Sequence, residues 1–517
     1  MFKLPEHLRI WLKPSALIAA VPLIVFLSLA IINLSYAEKL TNLGKSFAIN
    51  YFGGTWLWLT LLTLFISVLV AISPLGNIKL GGNTAKPSLG IFEWCSVLIC
   101  TLLAGGGVFW SAAEPLLHFL NPPSYFSNIE GETELAVDSA LATSFLHWGF
   151  LAWALVGSTV AITFSLLAQR GYSLRPRSLL IPISSEKFAN GIAGDLADGL
   201  SVVAAIAGTV GPLGFLSLQL SNAAGRLPNL DDSAFLQISI VLFLTSIFSI
   251  STFSGIQKGI KFLSELNIWL TIFLAFGLFL IGPTFWLVKH FSSGFILYFK
   301  NFISMSIPDD NDQWVKGWTI FYWGWFLGYA PLMGLFTAGI SKGRRIKELI
   351  FIIAFVCPLV TNIWFTILGG NGLFLELNNT GLIKSELSTG GSAAVLFAIL
   401  KNLPLSGLFI FIALLLIILF MATSADSISY ATAMVISGKE LPPKRLRLFW
   451  ALMIGFLTIA LLQIGGRDDA QTSIDALQSF IVLTAVPVTP LLIISLYSAP
   501  KLAYKEYKLL MKNKKQK

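Results

Sequence analysis

The stretch W-V-K-G-W-T-I-F-Y-W-G-W-F-L-G-Y-A-P-L-M-G, residues 314–334, followed by I-S-K-G-R-R-I-K-E at 340–348, decides the fold. Trp314, Trp318, Tyr322, Trp325 and Tyr329 step by four, four, three and four. That spacing predicts five rings on one face of a single helix, with Phe326 beside them, four residues after Tyr322. Gly324, Gly328 and Pro331 fall within the same helix and are expected to bend or open it where the rings are densest. Aromatics that only mark a lipid interface gather near helix ends. A row along one face reads instead as the binding face of a broken membrane helix.

The rest of the chain is solvated mainly by lipid. Hydrophobic residues make up 55% of the 517 and charged residues 12%, with a mean hydropathy of +0.78; soluble domains carry about 25% charged residues. The net charge of +9 is scattered over short loops and a tail, which argues against a nucleic-acid partner. Cys95, Cys100 and Cys357 lie inside apolar segments, an odd count that fits neither a disulfide scaffold nor a metal cluster.

Twelve apolar segments follow one another, at about 15–34, 55–76, 91–111, 139–168, 199–221, 234–254, 264–288, 314–340, 349–370, 403–436, 447–465 and 473–497. Each is long enough to cross a hydrocarbon core of about 30 Å as a helix. Every second loop is basic: Lys3, Arg9 and Lys13; Lys79 and Lys86; Arg170, Arg175 and Arg177; Lys258 and Lys261; Lys342, Arg344, Arg345 and Lys347; Lys439, Lys444, Arg445 and Arg447; then the tail. The alternate loops are acidic or mixed, with Glu130, Glu132, Glu134 and Asp138, Asp231 and Asp232, Asp309, Asp310 and Asp312, and Asp468 and Asp469. This alternation predicts an even number of spans with both termini in the cytoplasm of a cell (inner) membrane protein. Ser35-Tyr36-Ala37 resembles a signal-peptide cleavage site, but the apolar run before it is too long for a signal core. Residues 292–307 are too short to cross and read as a helix lying in the outer interface. The C-terminal L-A-Y-K-E-Y-K-L-L-M-K-N-K-K-Q-K reads as a solvated basic end.

F-Y-W-G-W-F-x4-P-L-M-G-x3-A-x-I-S-K-G-R-R-I-K-E resembles the signature of the betaine/carnitine/choline transporters. H-W-G-F-L-A-W-A at 147–154 is similar to that family's fourth span, A-G-G-G-V-F-W-S-A-A-E-P-L at 104–116 to its third, and T-S-A-D-S at 423–427 to its tenth. The resemblance implies an all-α membrane protein of twelve transmembrane helices. Its core would be LeuT-type, two five-helix inverted repeats at spans 3–7 and 8–12, preceded by two extra helices. The division it implies is 1–14, a cytoplasmic N-terminus; 15–90, the two accessory helices; 91–290, the first repeat; 291–313, the interfacial helix and loop; 314–497, the second repeat; and 498–517, the cytoplasmic tail. It further implies secondary active uptake of a small zwitterion or quaternary ammonium by alternating access, in a homotrimer joined through the interfacial helix.

A quaternary ammonium has no N–H to donate, so aromatic faces hold it, at about 0.5–2 kcal/mol per ring. Carried over residue by residue, Trp148 and Trp153 take two positions of the family's aromatic box, with Tyr322, Trp325, Phe326 and Tyr329 from the eighth span. Phe326 and Tyr329 stand where Trp is usual, and Val156 where Tyr is usual. The loss of one ring and the weakening of another leave room for a different solute: a sulfonium zwitterion, ectoine or an amino-acid-like compound. Gly105 and Gly106 would supply accessible backbone on the opposite wall, though Leu102 and Ala104 depart from the family's glycine pattern. Close packing of small residues is the alternative reading of that run.

No cofactor is expected beyond a coupling ion. The resemblance implies a sodium site from the Thr423 and Ser424 hydroxyls with backbone carbonyls near Cys100 and Leu103. Ion-independent exchange is the alternative. Asp426 reads equally as a functional carboxylate or as the cap of a helix break. His147 reads as a packed, hydrogen-bonded residue, Glu114-Pro115 as the outer end of the third span, and Gly343-Arg344-Arg345 as a positive-inside anchor with a gate contact as the second reading. Scattered histidines give an enzyme no metal or base constellation, and a channel would need a filter built from several subunits.

Overall fold

Long apolar runs give long helices, and the computed structural model describes residues 10–102, 104–228, 230–254, 257–464 and 470–515. The helices, with short turns left unnumbered, are α1 (Pro14–Ile32), α2 (Leu34–Ile72), α3 (Ile91–Leu102), α4 (Ala104–Leu120), α5 (Glu134–Ala168), α6 (Ile192–Ala224), α7 (Ala234–Ser254) and α8 (Gln257–Ile281). They continue with α9 (Thr284–Lys300), α10 (Thr319–Ile340), α11 (Ile346–Asn378), α12 (Lys384–Lys401), α13 (Ser406–Ser437), α14 (Lys444–Ile464) and α15 (Gln471–Asn513). Ten are long and apolar enough to cross a bilayer, and the pair α3/α4, bent by 67°, brings the number to eleven.

The aromatic helix α10 is absent from that number because its rings, glycines and Pro331 lower its hydropathy. Even so, every residue from Thr319 to Leu335 is buried, since α2, α5, α6 and α15 pack around it. A helix enclosed by protein needs no lipid-facing apolar stripe.

The five rings do not share one helix. Trp314 lies on a separate turn, Gln313–Gly317, capped by Asp312, whose carboxylate accepts from the backbone N–H groups of Trp314 and Val315 at 2.7 and 3.1 Å. Trp318, at φ −114° and ψ −73°, separates that turn from α10. Past Trp318 the helix runs unbroken through Gly324, Gly328 and Pro331, against expectation. Gly324 serves contact rather than bending: a Cβ there would sit 2.8 Å from Cζ3 of Trp56.

Other limits shift for local reasons. α2 is 39 residues, about 58 Å, far longer than the expected 55–76. Gly282-Pro283 ends α8, so the helix expected from 292 begins at Thr284. Its Lys289 and His290 bind Glu134 and Asp138 of α5 at 2.5 and 2.6 Å, leaving Phe285, Ile296 and Phe299 exposed. α12 occupies a stretch where no element is read from the sequence, and turns at Gly391 (φ 62°, ψ −167°). The tail is solvated over 504–513, as expected, but is helical rather than loose. It continues α15, with Leu502 and Ala503 buried.

Beyond α10, the basic motif pairs with the segment that follows α2. Leu80 N–H donates to Arg344 O (2.8 Å), Gly343 N–H to Leu80 O (2.7 Å) and Ile346 N–H to Ile78 O (3.0 Å). Gly343 is required here: its φ is +90°, and a Cβ would lie 2.4 Å from the Lys86–Pro87 peptide. Arg344 donates to Leu89 O at 2.7 Å and lies 4.8 Å over Trp94, the second residue type tying this loop to α3. Gly343-Arg344-Arg345 is therefore a docking element between the end of α10 and the segment after α2.

Candidate binding site

Five helix groups meet at one small cavity. It is lined by Thr101, Leu102, Gly105 and Gly106 of the bent pair, Trp148 of α5, and Gly208, Thr209 and Pro212 of α6. Trp325, Phe326 and Tyr329 of α10 and Met421 and Ser424 of α13 complete it. Its open centre is about 20 Å³, roughly one water's worth. The rings have closed on one another: Trp148 lies 5.9 Å edge-on to Trp325 and 5.5 Å from Phe326, within the range of favourable aromatic pairs. Trp325 is held by its N–H, which donates to Gly208 O at 3.1 Å.

Gly106 makes this closure possible. A Cβ there would sit 2.5 Å from Cη2 of Trp325 and 2.8 Å from Cη2 of Trp148, so both indoles rest directly on its backbone. The bend between α3 and α4 sits just before it.

Of the residues expected at the site, Gly105, Gly106, Trp148, Trp325, Phe326, Tyr329 and Ser424 line the cavity together. Tyr322 stands one turn away, packed against Trp148 (5.4 Å) and Phe326 (5.9 Å). Trp153 and Val156 lie outside it. α5 kinks at Gly149 (φ −98°, ψ −135°), which turns Trp153 away; its N–H donates to Thr361 Oγ1 of α11 at 3.0 Å. Trp314 and Trp318 cover His118 instead, at 5.1 and 4.6 Å.

The oxygen cluster expected for a cation is drawn together in part. Ser424 Oγ donates to Cys100 O at 3.4 Å. Thr423 Oγ1 donates to Leu419 O and Phe420 O within its own helix, at 2.9 and 3.1 Å, and accepts from Asn267 Nδ2 at 3.4 Å. Leu103 lies outside the described residues. Asn267 is not expected from the sequence, and its buried Oδ1 has no hydrogen-bond partner. Asp426 caps no break, because α13 is continuous through it; it accepts from Ser251 and Thr252 hydroxyls of α7 at 2.6 and 2.5 Å.

The largest departure concerns Glu114. It does not close a span at a wet surface: α4 continues to Leu120, and Glu114 is fully buried. His147 Nδ1, His118 Nε2, Trp148 Nε1 and Tyr322 Oη surround its carboxylate at 2.8, 3.2, 2.6 and 2.6 Å. His147 is packed as expected, its Nε2 3.0 Å from Thr319 Oγ1. Among the described residues, Glu114, His118 and His147 form the one group whose ligand atoms, all within 4.8 Å, could hold a metal ion. The histidines are thus less scattered than their sequence positions suggest. The missed signal was a carboxylate in an apolar neighbourhood, a functional candidate by default.

Comparison with known proteins matches residues 15–508 to the model of the BCCT, betaine/carnitine/choline family transporters. Glycine betaine transporter 2 of Vibrio parahaemolyticus is 41% identical over 93% of this chain and 88% of its own. The ectoine/hydroxyectoine transporter of Virgibacillus pantothenticus is 31% identical over 91% of each, and glycine betaine transporter OpuD of Bacillus subtilis 31% over 89% of each. The chain is a multi-pass membrane protein and belongs to the betaine/carnitine/choline transporter family.

Proposed function

We propose that the chain is a secondary active transporter that imports a small zwitterion or cation of the betaine type by alternating access, with sodium as coupling ion. The observation that carries this reading is the small cavity that Trp148, Trp325 and Phe326 line, with both indoles resting on the backbone of Gly106. Aromatic faces on one side and accessible peptide on the other suit a solute with a methylated onium at one end and hydrogen-bonding oxygens at the other. The sodium reading is supported by Ser424 Oγ, Cys100 O and the unpartnered Oδ1 of Asn267, hard oxygen donors in one neighbourhood. α10 and the bent pair as further spans complete a reading of twelve, with both termini cytoplasmic in the cell membrane. The exposed face of α9 is the surface proposed to join a homotrimer; a monomeric mass in nanodiscs would count against it.

A second solute class is favoured by one specific feature. Phe326 lines the cavity where the family usually presents an indole, which suits a solute less dependent on a full aromatic cage, such as ectoine. Thermal-shift and calorimetric titration with betaine, choline, ectoine and a sulfonium zwitterion, in sodium and in potassium buffer, separates the two. Betaine bound most tightly and only in sodium is the expected result; equal affinity in both cations would move the reading to exchange.

A further inference from the structure

Glu114 stands behind the rings rather than among them. An ionised carboxylate offers four lone-pair sites, and four donors from three helices converge on this one. Trp148 N–H and Tyr322 O–H both donate to Oε2 at 2.6 Å, while His147 Nδ1 and His118 Nε2 face Oε1. A neutral carboxyl would have to give one of these positions to its own hydrogen, so the donor set fits the anion. The contacts to Trp148 and Tyr322 are short, as charge-assisted hydrogen bonds are. Both histidines satisfy the arrangement as neutral rings. His118 Nδ1 is buried without a partner, an unfavourable place for a second proton, and His147 Nε2 faces the Thr319 hydroxyl.

We infer that Glu114 is a charge-selecting positioning residue, acting on the solute through Trp148 and Tyr322. Its hydrogen bonds draw the indole and phenol protons outward and raise electron density in both rings, deepening the negative face that an onium meets. The carboxylate's own field adds to this, since a buried site screens it weakly. Both effects favour a positive end beside Trp148 and give nothing to an uncharged group of the same shape. A neutral amide keeps the shape and one accepting oxygen, removes the charge, and turns an NH2 donor toward two of the four donors.

This inference rests on the reading of the cavity as an onium site, and its test keeps the two apart. Full-length protein in nanodiscs is titrated with betaine and, by competition, with the carboxylate of tert-butylacetic acid, in which a neutral carbon replaces the nitrogen. For Glu114→Gln, betaine should bind about tenfold more weakly, while the carbon isostere binds as well as before or better. Equal weakening of both ligands would mean that Glu114 only holds the rings in place, and unchanged betaine binding would mean that its charge is not felt; either overturns the inference. Native protein that does not prefer betaine to the isostere overturns the onium reading itself. Should Glu114→Gln not fold, Tyr322→Phe deletes only the phenolic donor; a loss confined to betaine, of about threefold, is expected, and equal loss for both ligands overturns the inference.

Discussion

The bent pair α3/α4 and the aromatic helix α10 carry similar warnings in their sequences, glycines among apolar residues, yet only the pair opens. In α10, Trp56, Ala204 and Val160 press against the glycine positions, and protein surrounds the helix on every side, so its small residues are filled contacts. At the pair, Leu102 ends one helix and Ala104 begins the next at 67°; of the glycines that follow, Gly105 packs on Pro212 of α6 and Gly106 lies under the rings of Trp148 and Trp325. In both regions the small residues let a neighbour rest directly on backbone; at the pair, two of those neighbours are the rings that line the cavity.

The comparison breaks most visibly at Glu114, which ties α4 to α5 and α10. Glu114→Ala strips four buried groups of their acceptor and should cost about 3–5 kcal/mol of stability, read as a lowered unfolding temperature in detergent; an unfolding temperature within a degree of native would mean the network does not join the two regions. Gly106→Val should come next. It overpacks both indoles at about 1–3 kcal/mol and should abolish solute binding, whereas Gly317→Val, where a Cβ meets nothing, should leave it intact. Trp148→Ala should then lose about 1–2 kcal/mol of binding for a methylated onium, with Trp153→Ala within about twofold of native affinity because its ring serves Thr361. Similar losses in both would place Trp153 in the cage after all.

Smaller effects sharpen the picture on the cation side. Ser424→Ala should raise the sodium concentration for half-maximal uptake about tenfold, the value of a buried oxygen ligand near 1.4 kcal/mol. Thr423→Ala should do less, since its hydroxyl is engaged within its own helix. The smallest effect is expected at Val156→Tyr: betaine, choline, carnitine and sulfonium affinities essentially unchanged by calorimetry, because position 156 lies outside the cavity.

Much of this was legible in advance. Rings at 325, 326 and 329, the Gly105-Gly106 pair, Trp148 and Ser424 could be assembled in advance because each lies within one of the motifs that carry the family resemblance. Trp153 could not, because the Gly149 kink that redirects it is a backbone torsion with no mark beyond one glycine. Glu114 was misplaced for a local reason: Glu-Pro resembles a span's end, and only the fold supplies the four donors that let a carboxylate stay buried. α12 was missed because Ser388, Thr389, Gly390 and Gly391 read as loop chemistry, while its burial against neighbours is tertiary.

The backbone pairing of residues 78–80 with 343–346 has a mechanical consequence. Swinging the end of α10 away from the exit of α2 would break three hydrogen bonds, at about 0.5–1.5 kcal/mol each. A separation costing about 3 kcal/mol would be populated less than about 1% of the time. The exit of α2 and the end of α10 are therefore coupled, and any motion that parts them has to break this pairing first.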